Sequence, residues 1–286
     1  MLYRNRKYKY WVAELEKTQV KKNRDYWVSI IGEKSISQIT NSSKNDVPYS
    51  SKIIKQNEIA YIKYKSFAAN PERTISYGDS LRQFLVSVRN YTHLIIDIQG
   101  NNGGDSKMWS DSLVPFLISK PVCLEETIAY RRGKLVKRNK GKYLTRYDKL
   151  ARKEMYPPEL NSGQFMFSSK MSCIHPNRPV GFKGKIILLV NEDVYSSSEM
   201  FAVFCKAAKW ATVVGETTAG DGIGSDPILL ALPESGLVIR FSADMGLNPD
   251  GSANEETMTK PDVPIKAESS KKRLEKLLDL IENKQL

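Results

Sequence analysis

Histidine is nearly absent from this chain: among 286 residues only His93 and His175 occur. Any chemistry that needs an imidazole base near neutral pH has only these two to draw on. Cysteine is also scarce. Cys123, Cys173 and Cys205 are odd in number, widely spaced and without zinc-ligand spacing, which argues against a metal site and against a disulfide framework. Cys205 falls among apolar neighbours and reads as a packing residue. No run of eighteen apolar residues occurs, so no membrane-spanning helix is expected. The basic opening Met1-Leu-Tyr-Arg-Asn-Arg-Lys7 has no apolar core and does not read as a signal peptide. As it stands the chain reads as cytoplasmic, and the compartment of any longer parent is left open. No internal repeat is seen.

What is present starts with Asn191-Glu-Asp-Val-Tyr-Ser196-Ser-Ser-Glu199. It follows Lys185-Ile-Ile-Leu-Leu-Val190, an apolar run expected as a buried strand. It precedes Met200, Val203, Phe204 and Ala207, whose spacing predicts an amphipathic helix. Ser196 therefore stands at a sharp strand-to-helix junction, where a nucleophile is exposed beside the free N–H groups of a helix start. The same residues also fit a capping box, Ser196-x-x-Glu199, in which the serine only closes the helix end.

A second apolar run, Leu94-Ile-Ile-Asp-Ile98, ends in Gln99-Gly-Asn-Asn-Gly-Gly-Asp105. Glycines after a strand allow a tight turn and leave N–H groups unobstructed. A serine at one strand end and a glycine loop at another make a nucleophile with an oxyanion hole.

Four blocks in order carry a family resemblance. Ile95-Ile-Asp-Ile-Gln-Gly-Asn-Asn-Gly-Gly104 and Val190-Asn-Glu-Asp-Val-Tyr-Ser-Ser-Ser-Glu-Met-Phe201 are followed by Val213-Val-Gly-Glu-Thr-Thr-Ala-Gly220. The last block is Asn248-Pro-Asp-Gly251 with Lys260-Pro-Asp-Val263. Together they resemble the carboxy-terminal-processing (tail-specific) serine peptidases, a family that includes the tricorn core, over about residues 55–265. The resemblance implies an α/β fold with a crotonase-like core: a mixed sheet flanked by helices, with a variable insertion. It implies peptide-bond hydrolysis through an acyl-enzyme, with Ser196 as nucleophile and an oxyanion hole from the N–H of Gly103 or Gly104 and that of Ser197. No cofactor or metal is implied.

One branch of the family uses a lysine directly after the Gly-Glu-x-Thr-x-Gly block. Asp221 occupies that place here, and a carboxylate is too weak a base to replace a neutral lysine beside a serine. The other branch uses serine, histidine and glutamate, and Glu255, 59 residues after Ser196, stands where its glutamate is expected, with Glu256 beside it. The histidine of that branch sits in an Asp-Gly-His-Thr-like motif ahead of the first core strand, and this chain has none there. His93 and His175 both enter strands at the end opposite the expected site. The simplest expectation is that the catalytic histidine belongs to sequence outside this chain. The chain would then be a peptidase domain inactive in this form, or a non-catalytic peptide-binding pseudopeptidase that holds extended peptides by strand addition.

The net charge of +12 is uneven: residues 1–24 carry a local +6 and residues 131–154 a local +9, leaving the remainder mildly acidic. That argues against a general nucleic-acid-binding domain. Nucleic acid binding is left only to residues 131–154, where Tyr143 and Tyr147 interleave the basic residues. The expected partner is a peptide or unfolded protein, with acidic peptides favoured if the basic stretch borders the cleft.

Residues 1–50 read as a helical remnant (1–35) and a polar linker (36–56 at its widest). Residues 51–268 read as the peptidase core with an insertion at about 120–180, and 269–286 as an amphipathic helix. Leu81, Phe84, Leu85 and Val88 predict one helix, and Trp109, Leu113, Phe116 and Leu117 another. Hairpins are expected at 128–136, turning near Gly133, and at 228–241. The last helix is expected to cover a sheet edge or pair with another subunit, which would make a homo-oligomer. No segment reads as a PDZ module.

Overall fold

The computed structural model describes residues 2–5, 10–13, 48–68, 71–134, 136, 156, 158–161, 164–225, 227–231 and 238–286. The chain falls into two compact units, residues 1–46 with 225–243, and residues 47–224 with 244–286.

In the first unit, β1 (Leu2–Asn5) pairs antiparallel with β2 (Tyr10–Ala13). A helix was expected here; Tyr3, Tyr10, Trp11 and Val12 are aromatic or β-branched residues that suit a pleated strand. The rest of the expected helix, 14–35, lies outside the described residues. The expected hairpin at 228–241 is present as β10 (Ile228–Ala231) and β11 (Val238–Phe241).

The second unit holds a six-stranded sheet in the order β13-β9-β8-β5-β4-β3. Its strands are β3 (Tyr49–Lys55), β4 (Ile59–Tyr64), β5 (His93–Asp97), β8 (Lys185–Val190), β9 (Thr212–Gly215) and β13 (Val263–Pro264). All pairings are parallel except β3–β4, and β3 begins inside the stretch expected as linker. The near-continuous apolar runs of β4, β5 and β8 follow from burial on both faces. On one face Ile62, Leu94, Ile96, Leu188 and Val190 meet α1 (Pro71–Ser87) through Leu81 and Leu85, and α4 (Ser197–Ala207) through Phe201. On the other, Tyr61, Ile95, Ile187 and Leu189 meet Leu277 and Ile281 of α6 (Ser270–Glu282). The C-terminal helix thus covers a sheet face, where an edge was expected.

The expected helix through Trp109 and Phe116 is two short ones, α2 (Lys107–Ser110) and α3 (Val114–Leu117). Pro115 lies in the first turn of α3, where its missing N–H costs nothing, and Leu113 before it leaves helical geometry at φ −131°. The hairpin expected at 128–136 is also different. β6 (Val122–Arg131) runs on past it and pairs antiparallel with the distant β7 (Phe165–Ile174), and β12 (Asp244–Leu247) pairs with the other edge of β6. Gly133 does not fold the chain straight back; most of residues 132–164, including Tyr143 and Tyr147, lies outside the described residues.

The pairing of β6 with β7 places Cys123 opposite Cys173, and the two form a disulfide. This corrects the expectation from cysteine counting, which weighs number and spacing and cannot see two strands 50 residues apart brought into register. Cys205 is the remaining free thiol, buried in α4 as expected.

Candidate active site

Adjacent parallel strands end side by side, so the carboxyl ends of β5 and β8 bring the glycine loop against the start of α4. Asn101, fully buried in that loop, is the joint between them. Its Nδ2 donates to Tyr64 O at 3.3 Å, its Oδ1 accepts from Gly103 N at 3.0 Å, and its carbonyl accepts from Tyr195 N at 3.3 Å. Asn191 adds a second tie, accepting from Gly100 N at 2.7 Å.

Gly103 (φ +97°) touches the serine junction directly. A Cβ there would sit 2.8–2.9 Å from Tyr195 O, Ser196 Cβ and Ser197 N, so no larger residue fits without moving the junction. Gly104 forms a parallel bridge with Phe67: Phe67 N donates to Gly103 O at 3.0 Å and Asp105 N to Phe67 O at 2.9 Å. Both backbone groups of Phe67 are thus taken by the neighbours of Gly104, and the Gly104 N–H points away from Phe67. Among the described residues it has no hydrogen-bond partner, and neither does the N–H of Ser197. Of the two glycines expected as alternatives, Gly103 has its N–H occupied by Asn101 and Gly104 has its N–H available.

Ser196 has φ +58° and ψ −125°, a conformation that costs an L-residue of order 1–3 kcal/mol and persists only where its surroundings hold it. Here Ser196 N donates to Gly220 O at 3.3 Å and Ser196 O accepts from Met200 N at 2.9 Å. Its side chain makes no cap hydrogen bond. The capping-box reading is therefore set aside on both counts, because Glu199 is engaged elsewhere. Glu199 is fully buried, with Oε1 accepting from Asn254 Nδ2 at 2.9 Å and Thr259 Oγ1 at 2.6 Å. Burial raises its pKa, opposed by hydrogen bonds from Thr218, Thr259 and Asn254, and Oε2 has no partner. Asn254, Thr218 and Thr259 were not singled out from sequence. Their traces there are that Thr218 lies in the block Val213–Gly220 and that Asn254 directly precedes Glu255 in α5 (Asn254–Thr257).

Glu255 lies on that short helix beside the junction. Gly220 is the spacer between them: its carbonyl takes the Ser196 N–H, and a Cβ on it would stand 3.3 Å from Glu255 Cα. The nearest bonded contact of the Glu255 carboxyl is long, Gly246 N to Oε1 at 3.5 Å, and Oε2 is buried without a partner. Burial pushes its pKa up to about 7, with the negative charges of Asp221 and Asp244 adding to the rise. This is a carboxylate in want of a cation. Asp221, in the place of the other branch's lysine, accepts a hydrogen bond from Tyr195 Oη.

Neither histidine meets this group. His93 opens β5, paired with Lys185 and Ile59 at the amino ends of their strands. The length of the strand, about 3.3 Å per residue, separates it from the glycine loop. Burial and the charge of Lys185 lower its pKa. His175 is exposed just past the end of β7. Glu256 forms no described side-chain contact with the junction. No group of three or more His, Cys, Asp or Glu suited to a metal occurs among the described residues.

Among the described residues, a strained serine at a strand-to-helix turn, two unbonded N–H groups beside it and a buried carboxylate at the next turn are thus brought together. The family model described as Peptidase family S41 matches residues 58–265. The chain belongs to this family. It thus has a serine peptidase domain of the carboxy-terminal-processing type, built on the mixed α/β sheet flanked by helices that its motifs led one to expect.

Solved structures share the fold. A candidate peptidase from Parabacteroides merdae superposes with a TM-score of 0.59 at 19% identity, covering 86% of this chain and 69% of that one. A lipoprotein from Streptococcus agalactiae gives 0.54 at 17% identity, covering 87% and 74%. Mature CPAF complexed with lactacystin gives 0.53 at 19% identity, covering 72% and 47%. The chain thus spans about half the length of mature CPAF. No described helix is long and apolar enough to cross a membrane.

Proposed function

We propose that the chain carries the nucleophile, oxyanion hole and acid of a Ser-His-Glu peptidase, and that the histidine is contributed by sequence outside it. The observation that carries this reading is Ser196 at φ +58° with the Gly104 and Ser197 N–H groups unbonded beside it. Ser196 Oγ attacks the peptide carbonyl carbon and passes its proton to the imidazole. The two N–H groups hold the resulting oxyanion. Collapse expels the amine, which takes its proton from the imidazolium, and water then cleaves the acyl ester with the same base. Glu255 orients the imidazole and stabilises its cationic form. A positive charge brought to Glu255 would also relieve the burial that now lifts its pKa. The substrate is a peptide or unfolded protein segment.

The test is intact-mass analysis after treatment with a fluorophosphonate, beside Ser196→Ala. Labelling of the parent chain that disappears in the variant supports an activated serine. A labelled Ser196→Ala variant would overturn the assignment of the nucleophile.

A second reading rests on one observation: among the described residues Ser196 Oγ has no hydrogen-bond partner and neither histidine stands by it. In that form the chain is a non-catalytic peptide-binding protein. Absence of labelling in the folded chain, with labelling restored by a longer chain that supplies a histidine, separates an incomplete centre from a pseudopeptidase.

A further inference from the structure

The sheet β12-β6-β7 stands over α4, and a cavity of about 580 Å³ lies between them. One side of it is the even-numbered face of the β6–β7 hairpin. Leu124 stands opposite Ser172 and Glu126 opposite Lys170, with Ile174 next along β7. The other side is apolar: Trp109, Val203, Phe204 and Ile223 are buried and Met200 is half-buried. The exposed polar residues of the lining, among them Asp111, His175 and Lys170, leave the floor apolar and the mouth polar.

The cavity adjoins the reaction centre at two points. Met200 lies one turn after Ser196 and its N–H bonds Ser196 O. Trp109 Nε1 donates to Ser197 Oγ at 3.3 Å, on the residue whose N–H is the second oxyanion donor. Among the described residues no strand pairs with the outer edge of β7. An extended peptide added to that edge would carry every second side chain on the cavity face.

We infer that this cavity is the subsite for a bulky apolar side chain of the substrate, aromatic or long aliphatic, adjacent to the scissile bond, with the peptide lying extended along β7. The inference rests on the peptidase reading. The size falls within the range of ligand pockets, the side toward α4 offers rings and aliphatics, and the charged pair of the lining, Glu126 and Lys170, is joined to itself at 3.0 Å. An acidic side chain in that position would lose its hydration without a cation at the floor. Met200, Val203 and Ile223 set the depth, and Ser172 sets the width at the strand.

The experiment uses the full chain carrying Ser196→Ala, with its disulfide intact, and three blocked octapeptides identical except for Phe, Gly or Asp at one central position. Affinity is read by calorimetry. The Phe peptide is expected to bind about ten- to a hundredfold more tightly than the Gly peptide, with the Asp peptide no better than Gly. Adding Ser172→Trp, which fills the cavity from a half-buried strand position, is expected to erase the Phe preference. Met171→Trp, on the opposite and exposed face of the same strand, is expected to leave it unchanged. Met200→Ala, which deepens the cavity, is expected to move the preference from Phe toward Trp, read with a fourth octapeptide carrying Trp at the same position, and covers the case in which Ser172→Trp does not fold. Equal affinity for the three peptides, no binding of any, or equal loss in Ser172→Trp and Met171→Trp would each overturn the subsite. Fluorophosphonate labelling of Ser196 needs no side-chain pocket. A failed subsite with labelling intact is therefore distinct from failure of the peptidase reading.

Discussion

Asn254 donates from Nδ2 to Glu199 Oε1 at 2.9 Å, and this bond ties the helix that begins at Ser196 to the turn that carries Glu255. The same amide holds Asn248 Oδ1 at 3.1 Å, and Asn254 Oδ1 accepts from Gly222 N at 2.8 Å. Asn254→Ala removes all three bonds and leaves a buried carboxylate with one fewer donor. Buried groups left unsatisfied cost about 1–3 kcal/mol each, so the variant is expected to lose about 3 kcal/mol in urea unfolding. Fluorophosphonate labelling of Ser196, where the parent shows it, should slow in the variant even under conditions where it remains folded. A variant as stable as the parent would show that the network does not hold the site.

Glu255 makes a prediction whose sign follows from its surroundings. Its folded pKa is raised to about 7 from an ordinary value of 4.5, so between those limits the folded chain keeps a proton that the unfolded chain releases. Stability therefore falls as pH rises through that window. Glu255→Gln removes the cost of the buried charge. Its melting temperature is expected to exceed that of the parent at pH 8 and to match it near pH 4, where the parent glutamate is already protonated. The opposite result at pH 8, a destabilised variant, would mean that a cation already stands beside Glu255 in this chain.

The sheet and the serine junction were legible because their signals are local. Apolar runs mark strands buried on both faces, and glycines at a strand end mark a turn that lets backbones meet. The β6–β7 pairing was not legible, since register between strands separated by a long insertion is set by tertiary packing. The disulfide followed it out of sight. The role of Glu199 was misleading for a different reason: Ser-x-x-Glu has the same spacing whether its members cap a helix or serve a buried network. The missing cap hydrogen bond of Ser196 and the bonds of Glu199 to Asn254 and Thr259 decide between them. Asn101 and Asn254 carried no motif weight of their own, although both hold the site's backbone.

Two glycines of the same loop separate backbone strain from steric contact. At Gly100 (φ +76°) a Cβ would meet nothing within 4 Å, so Gly100→Ala carries only the left-handed penalty, about 1–2 kcal/mol. At Gly104 (φ +137°) the Cβ would stand 2.3 Å from Phe67 C and Ala68 N, which are backbone atoms of the adjoining segment. Gly104→Ala must break the bridge to Phe67 or move the loop, and is expected to cost at least about 3 kcal/mol. It should also abolish labelling of Ser196, where the parent shows it, by displacing the proposed oxyanion donor. Paired urea unfolding of the two variants tests this, and equal losses would contradict it.

The Cys123–Cys173 bridge joins two exposed residues of neighbouring strands and closes the chain across the 50-residue separation that contains the basic insertion. Alkylation of the air-purified, denatured chain without reductant should therefore modify one thiol, Cys205, and after reduction three. In the chain-entropy account a loop of this length is worth about 4 kcal/mol, an upper figure where the reduced, unfolded chain retains structure. The loss should also be local. Cys173 lines the cavity beside α4, so reduction or Cys123→Ser with Cys173→Ser frees the end of β7 that forms its wall. Limited proteolysis is expected to cut the insertion faster in the bridge-free variant while the six-stranded sheet stays protected. Cleavage at the same rate in both would show that strand pairing alone holds the hairpin in register.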